Sequence, residues 1–201
     1  MKFSINECKN KDGLTFKGLA EICPSIFSDE RGYVFESYNE NEFLKNSKKK
    51  INTRFVQTTE SFSKKNVLRG LHFQKSNAQA KLVRCVFGKV LDVVVDLRNE
   101  SKTFGKYFSL ILDGTKHNAL YVPEGFAHGF YVLSKTAIYL YKCTNFYDAK
   151  DEDGIIWNDK SLAIDWNLSE KNPIISKKDK SLSSFCKDKK YFSLEGTWIG
   201  V

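Results

Sequence analysis

Chemistry is most densely encoded between Lys64 and Arg84, KKNVLRGLHFQKSNAQAKLVR, where Arg69, His72, Lys81 and Arg84 fall within one strand-like stretch. Histidine takes up or releases a proton near neutral pH, and fixed positive charges beside it suit an anionic substrate. Gly70 precedes the group, at a place where the backbone bends or a ligand comes close. A basic edge strand with a surface histidine accounts for any one of these residues. It does not account for all of them together.

A second dense stretch is Pro123-Glu124-Gly125-Phe126-Ala127-His128-Gly129-Phe130. It resembles the P-x-G-x-x-H element of cupin barrels, where the histidine points inward; the plainer alternative is a histidine hydrogen-bonded in a turn. Metal-binding cupins use an H-x-H pair on the earlier strand, a carboxylate and the later histidine. Here the earlier strand reads His72-Phe73-Gln74. Two histidines and a glutamine make a poor divalent site, even with Glu124 recruited. His117, in the Thr115–Asn118 turn, is expected to be exposed. The barrel is therefore expected to be metal-free, which leaves His72 and His128 for acid–base work. Tyr141 is a candidate phenolic acid. Tyr139 shares its strand face by parity, and spacing does not choose between them.

The elements that must carry these groups are short strands. The chain has 201 residues, 41% hydrophobic and 14% aromatic, a β-leaning globular composition sized for one domain with a real core. Residues 1–28 read as one or two strands, Asp29–Gly32 as a charged turn, and Tyr33–Tyr38 as a strand. Asn39 with Glu42 three residues on signals a short capped helix to Lys45, then a lysine-rich loop. From Thr53 the pattern is Arg54–Thr59, Val67–Gln74, Leu82–Phe87, Val90–Leu97, Tyr107–Leu112, Ala119–Val122, Gly129–Leu133 and Ala137–Cys143. The Asp113-Gly114 turn cues a hairpin. Strands at roughly 8–12-residue spacing indicate a sandwich or barrel. Beyond Tyr147 come an acidic loop, a short helix at Ser161-Leu162-Ala163, a turn at Pro173, and a lysine-rich end in which Phe185, Tyr191, Phe192 and Trp198 are the apolar exceptions.

Composition also narrows the partners. Net charge is +8, which raises nucleic acid or an acidic small molecule. Much of it lies in Lys48–Lys50, Lys177, Lys178, Lys180, Lys187, Lys189 and Lys190. Such runs are solvated faces, so no nucleic-acid partner is expected. The five cysteines, Cys8, Cys23, Cys85, Cys143 and Cys186, are scattered and form no C-x-x-C, which points to a reducing cytoplasm rather than a disulfide framework. No window reaches the length of a membrane span.

Taken together, Asp29–Gly32 with Phe35–Tyr38, Val67–Gln74, Lys81–Cys85, Pro123–Phe130, Leu140–Lys142, Trp157–Asp159 and Ile164–Trp166 resemble the dTDP-4-dehydrorhamnose 3,5-epimerases over about residues 20 to 180. The resemblance implies an all-β, cupin-type jelly-roll barrel with N-terminal strands and short C-terminal helices. One domain would span 1–201, with a barrel core at about 52–147 and a helical and loop extension at 148–201. It implies a cofactor-free homodimer in which N-terminal strands enter the partner's sheet and site. The substrate would be a nucleotide-linked 4-keto-6-deoxy sugar, whose ketone acidifies the C–H bonds at C3 and C5. By resemblance His72 is the base, Asp179 its paired carboxylate, Tyr141 the acid on the other face, and Lys81 the enolate stabiliser with His128 nearby. Arg31, Glu36, Gln57, Thr59 and Arg69 match substrate-binding positions, and Tyr147 a base-stacking one. A carboxylate orients and charges an imidazole, a lysine aimed at a developing oxyanion is electrostatic preorganisation, and arginine forks suit a diphosphate. The chain departs from the family in having Thr59 for Asn, Ala80 for Gly, a slightly short Lys75–Gln79 loop and a longer lysine-rich end. Three alternatives remain: inversion at a single carbon, a non-catalytic cupin that binds a sugar nucleotide, and a metal-dependent cupin.

Overall fold

A computed structural model describes residues 3–46, 52–169 and 172–200; the lysine-rich segment expected as a loop after the first helix, 47–51, lies outside them. The N-terminal part holds β1 (Phe3–Lys9), β2 (Thr15–Pro24), β3 (Phe27–Asp29), β4 (Gly32–Val34) and α1 (Glu40–Asn46). Then follow β5 (Gln57–Lys64), β6 (Leu68–Gln74), β7 (Lys81–Phe87), β8 (Lys89–Asp96), β9 (Tyr107–Asp113), β10 (Ala119–Val122), β11 (Phe126–Val132) and β12 (Thr136–Cys143). Short β13 (Glu152–Gly154) and α2 (Lys177–Lys180) complete the set. Most expected strands appear within a few residues of their predicted bounds. Tyr33–Tyr38 is shorter than expected, because only Gly32–Val34 pairs, in a hairpin with β3.

Two antiparallel sheets face each other in the orders β1-β2-β10-β7-β12-β5 and β13-β6-β11-β8-β9. Along β5 to β8 the strands alternate between sheets, as do β9 to β12, in the manner of a jelly roll. This overturns the expected hairpin at Asp113-Gly114. The turn forms, with the Lys116 and His117 N–H groups donating to the Asp113 carbonyl at 3.0 and 2.9 Å. It joins β9 of one sheet to β10 of the other, so the two strands do not pair.

Three apolar layers result, and they explain why β8 and β11 lack a polar face. Val83, Val90, Val94, Leu120, Phe126, Phe130 and Tyr139 fill the space between the sheets. Phe3, Ile22, Phe43, Leu82 and Tyr121 form a layer that includes α1. On α1, Asn39 accepts the Glu42 N–H at 3.1 Å as the predicted cap.

Leu71, Phe73, Val93, Val95 and Tyr131 meet Ile155, Leu162, Trp166, Tyr191 and Phe192 from the C-terminal part. Trp198 stacks on Phe73 at 6.0 Å, so the chain end is packed rather than a loose tail. The C-terminal part has one helix among the described residues, four-residue α2. The helix expected at Ser161–Ala163 is a turn instead: Asp159 Oδ1 accepts the N–H groups of Ser161 and Leu162, and Ala163 adopts a φ of 47°. No helix among the described residues is long and apolar enough to cross a membrane.

The approach to β11 is braced by a buried ion pair. Arg98 Nη2 meets Asp96 Oδ2 at 2.8 Å, with 4% and 0% of the side chains exposed. Ser101 and Thr103 also donate to Asp96, Arg98 Nη1 reaches the Lys17 carbonyl, and the guanidinium lies over Phe126. Removing one partner strands the other charge in the interior. Asp96→Ala is therefore expected to lose about 3–5 kcal/mol, read as a lowered midpoint in urea unfolding.

Candidate active site

A cavity of about 700 Å³ opens at one end of the sandwich, lined by side chains from both sheets. How β6 serves it depends on two glycines. In a regular strand residues 69 and 72 point to opposite faces. Here Gly70 takes a φ of 116°, and a Cβ on it would lie 2.6 Å from the Gly129 Cα. The β6–β11 register shifts at this point, between Phe130 opposite Arg69 and His128 opposite His72. The irregularity turns Arg69 and His72 both toward the cavity, while Leu68, Leu71 and Phe73 stay in the outer layer.

The same bend fastens a carboxylate. Gly70 N–H donates to Asp179 Oδ2 at 3.1 Å, and His72 Nε2 lies 2.9 Å from Asp179 Oδ1. Asp179 sits on α2, capped by Ser176, whose Oγ accepts the Asp179 N–H at 3.0 Å. Burial pushes the Asp179 carboxyl up. The bond to His72, the imidazole's charge, Gly70 and Ser176 outweigh that and hold it below the usual range. His72 Nε2 is thereby committed to the carboxylate, and Nδ1 is the nitrogen left for the cavity.

Tyr141 approaches from the other sheet, on β12 opposite Thr59 of β5. Burial pushes its phenol up and the Cys143 thiol adds to this, while the Thr59 hydroxyl and Arg69 oppose it. Tyr139, on the same face, lines the cavity too. Lys81 opens β7 opposite Cys143; burial lowers its ammonium, against the pull of Cys143 and Asp92. His128 Nε2 lies 3.0 Å from Asp92 Oδ1, and Tyr139 donates to the same carboxylate.

The structure thus gathers His72, Lys81, His128, Tyr141 and Asp179 at one cavity, with Gln57, Thr59, Arg69 and Tyr147 on its lining. Gln57 Nε2 donates to Thr59 Oγ1 at 3.2 Å, and Gln57 Oε1 accepts the Tyr147 N–H at 2.9 Å. Arg31 and Glu36 do not line this chain's own cavity. Arg31 is 84% exposed on the β3–β4 arm and pairs with Asp29. Arg84 is also turned away, over the Phe35 ring at 5.1 Å. His117, expected to be exposed, is 7% exposed because Tyr33 and Phe35 close over it at 4.5 and 4.7 Å.

Sequence reasoning missed three groups. Gln74 exchanges two hydrogen bonds with the Asp148 backbone and fastens the loop after β12. Glu152 reaches the cavity from β13. Asp92 lies under His128. Asp92 alone left a signal, a carboxylate inside the valine run of β8. Among the described residues no group of three or more His, Cys, Asp or Glu is arranged to hold a metal ion.

Because the Asp179 carboxyl is held low in the fold, its stabilising effect is full above the unfolded value of about 4 and fades as pH falls through the folded one. Urea unfolding between pH 7 and 3 is expected to show a smaller acid loss for Asp179→Asn than for the parent. Equal acid limbs would contradict this.

A sequence profile described as dTDP-4-dehydrorhamnose 3,5-epimerase matches residues 13–187. The Salmonella typhimurium enzyme of that name is 51% identical over 157 residues, covering 78% of this chain and 84% of that one. Among solved structures, the dTDP-4-dehydrorhamnose 3,5-epimerase of Elizabethkingia anophelis superposes with a TM-score of 0.83 at 46% identity, over 93% and 99% of the two chains. A Legionella pneumophila dTDP-6-deoxy-D-glucose-3,5-epimerase, solved in complex with dTDP-4-keto-L-rhamnose, gives 0.82 at 40% identity over 90% and 92%.

Proposed function

The chain belongs to the dTDP-4-dehydrorhamnose 3,5-epimerase family and is an epimerase, and from that premise we propose that it inverts C3 and C5 of dTDP-4-keto-6-deoxyglucose without a cofactor. The observation that carries this reading is His72 on one sheet, paired with Asp179 of α2, and the Tyr141 phenol on the other sheet, all lining a single cavity together with Lys81. Inversion needs a base and an acid on opposite faces of one carbon, and the position of His72 and Tyr141 on different sheets at one cavity supports that reading.

The C4 ketone makes the neighbouring C–H bonds acidic. His72 Nδ1 takes the proton, and Asp179 at Nε2 stabilises the imidazolium that forms. Negative charge moves onto the C4 oxygen, where the Lys81 ammonium and the His128 ring steady the enolate. Tyr141 then returns a proton from the opposite face. A phenol held up by burial keeps its proton until the enolate calls for it. Arg69 suits the diphosphate, Gln57 and Thr59 the sugar nucleotide, and Tyr147, half-exposed at the cavity mouth, a nucleobase to stack on.

Arg31 and Glu36 fit the same scheme through a second copy of the chain. They lie on or beside an arm that exposes Phe27, Tyr33 and Val34 by 53%, 60% and 56%, a pattern suited to docking on a partner's sheet. Sedimentation velocity at micromolar concentration is expected to show a dimer; a fully active monomer would remove these two residues from the site.

The direct test follows dTDP-4-keto-6-deoxyglucose in deuterated water by proton NMR. Loss of both the C3 and C5 signals is expected. Exchange at one carbon would make the protein a single-centre epimerase, and binding without exchange a sugar-nucleotide binder. His72→Ala is expected to lower exchange by roughly 10²–10⁴-fold, and Lys81→Met by roughly 10²–10³-fold. Undiminished exchange in His72→Ala would remove it as the base.

A further inference from the structure

A base on one face and an acid on the other leave the site unbalanced after each inversion. His72 ends with a proton at Nδ1 and Tyr141 ends as a phenolate. The cavity must pass one proton out on the histidine side and take one in on the tyrosine side before it can react again. We propose that Glu152 is the way out: it receives the proton from His72 Nδ1 and releases it to bulk water. This rests on the two-sided acid–base reading above.

The geometry is specific to Glu152. Its Oε1 lies 3.9 Å from His72 Nδ1, a gap that one bridging water or a small rotation closes. Its other oxygen, Oε2, accepts from Tyr147 OH at 3.1 Å and from Lys178 Nζ. These donors hold the carboxylate with Oε1 turned to the imidazole. Lys178 is 52% exposed and Tyr147 49%, so the carboxylate, itself 13% exposed, is held by surface groups, whereas the ring, 25% exposed, lies on the lining of the cavity that substrate would fill.

Asp179, on the other ring nitrogen, is a poor exit. It is 5% exposed, and both its oxygens are engaged, by His72 and by the Gly70 N–H. Protonating it would forfeit charge-assisted bonds that the exit through Glu152 leaves intact.

The steps balance. The imidazolium Nδ1–H bond breaks as a Glu152 O–H bond forms; that bond then breaks as water takes the proton. Tyr141 phenolate takes a proton from water. One proton leaves and one enters, and no electrons are exchanged. Because Lys178 is next to Asp179 in α2, and Tyr147 is bound through its N–H to Gln57, the exit residue is held by elements that also carry the base's carboxylate and the substrate-facing loop.

The test compares parent, Glu152→Gln and Glu152→Ala on dTDP-4-keto-6-deoxyglucose by rapid quench and steady-state assay. Both variants are expected to keep a burst of about one inversion per site, read as singly inverted sugar, while kcat falls roughly 100-fold and KM falls with it. Formate, a carboxylate small enough to enter, is expected to restore turnover in Glu152→Ala. Parent-like kcat in Glu152→Gln would overturn the proposal, as would loss of the burst together with no response to formate, which marks a purely structural role. If the glutamine and alanine variants do not fold, Glu152→Asp carries the test: a kept burst with a formate-dependent steady state supports the exit, and indifference to formate overturns it. A parent that turns over nothing sinks the epimerase reading, and the exit with it; a parent that turns over beside an unimpaired Glu152→Gln sinks the exit alone.

Discussion

The backbone irregularity at Gly70 is the constraint on which the site depends. Two glycines, Gly70 and Gly129, let β6 and β11 approach more closely than any side chain permits, and the register breaks there. That break puts Arg69 and His72 on one face of a strand whose other residues alternate. It also aims the Gly70 N–H at Asp179. A Cβ at either position meets backbone, which has nowhere to move. The placements of His72, Asp179 and Arg69 therefore share a single local cause.

Charge in the cavity is compensated rather than merely present. Burial works against the Lys81 ammonium and against ionising Tyr141, so each group is pushed toward its neutral form. Cys143 and Asp92 oppose this at Lys81, and the Thr59 hydroxyl and Arg69 oppose it at Tyr141. Asp179 stands behind His72 and Asp92 behind His128. An ionic ligand entering such a cavity meets dipoles and charges that are already oriented, and in a partly desolvated space their effect on a charge is larger than in water.

The C-terminal part has two tasks at once. Tyr191, Phe192 and Trp198 close the outer face of the five-stranded sheet around Phe73, which is the neighbour of His72 in β6. A few residues earlier the chain crosses the cavity end and delivers Asp179 from a single helical turn. The packing that covers the sheet thus also helps to hold His72 and Asp179 together.

Much of this was legible in the residue pattern. Alternating short strands and turns disclosed an all-β chain, the Asn39 cap disclosed α1, and His72, Lys81, His128, Tyr141 and Asp179 stood out by type and by resemblance. Local rules reach that far because strand burial, caps and turn chemistry act over a few residues. They do not reach across sheets. The Asp113 turn reads as a hairpin until its two strands are seen in different sheets, and His117 reads as exposed until Tyr33 and Phe35 close over it. Parity likewise separates Arg69 from His72 until the Gly70–Gly129 contact breaks it. Glu152 and Asp92 acquire meaning only from neighbours far away in the chain, His72 and Lys178 for one, His128 and Tyr139 for the other. The sequence by itself determined which groups were available and which strands would carry them. Only the tertiary structure decided which groups share a cavity, because that depends on contacts between residues distant in the chain, and local propensity does not encode them.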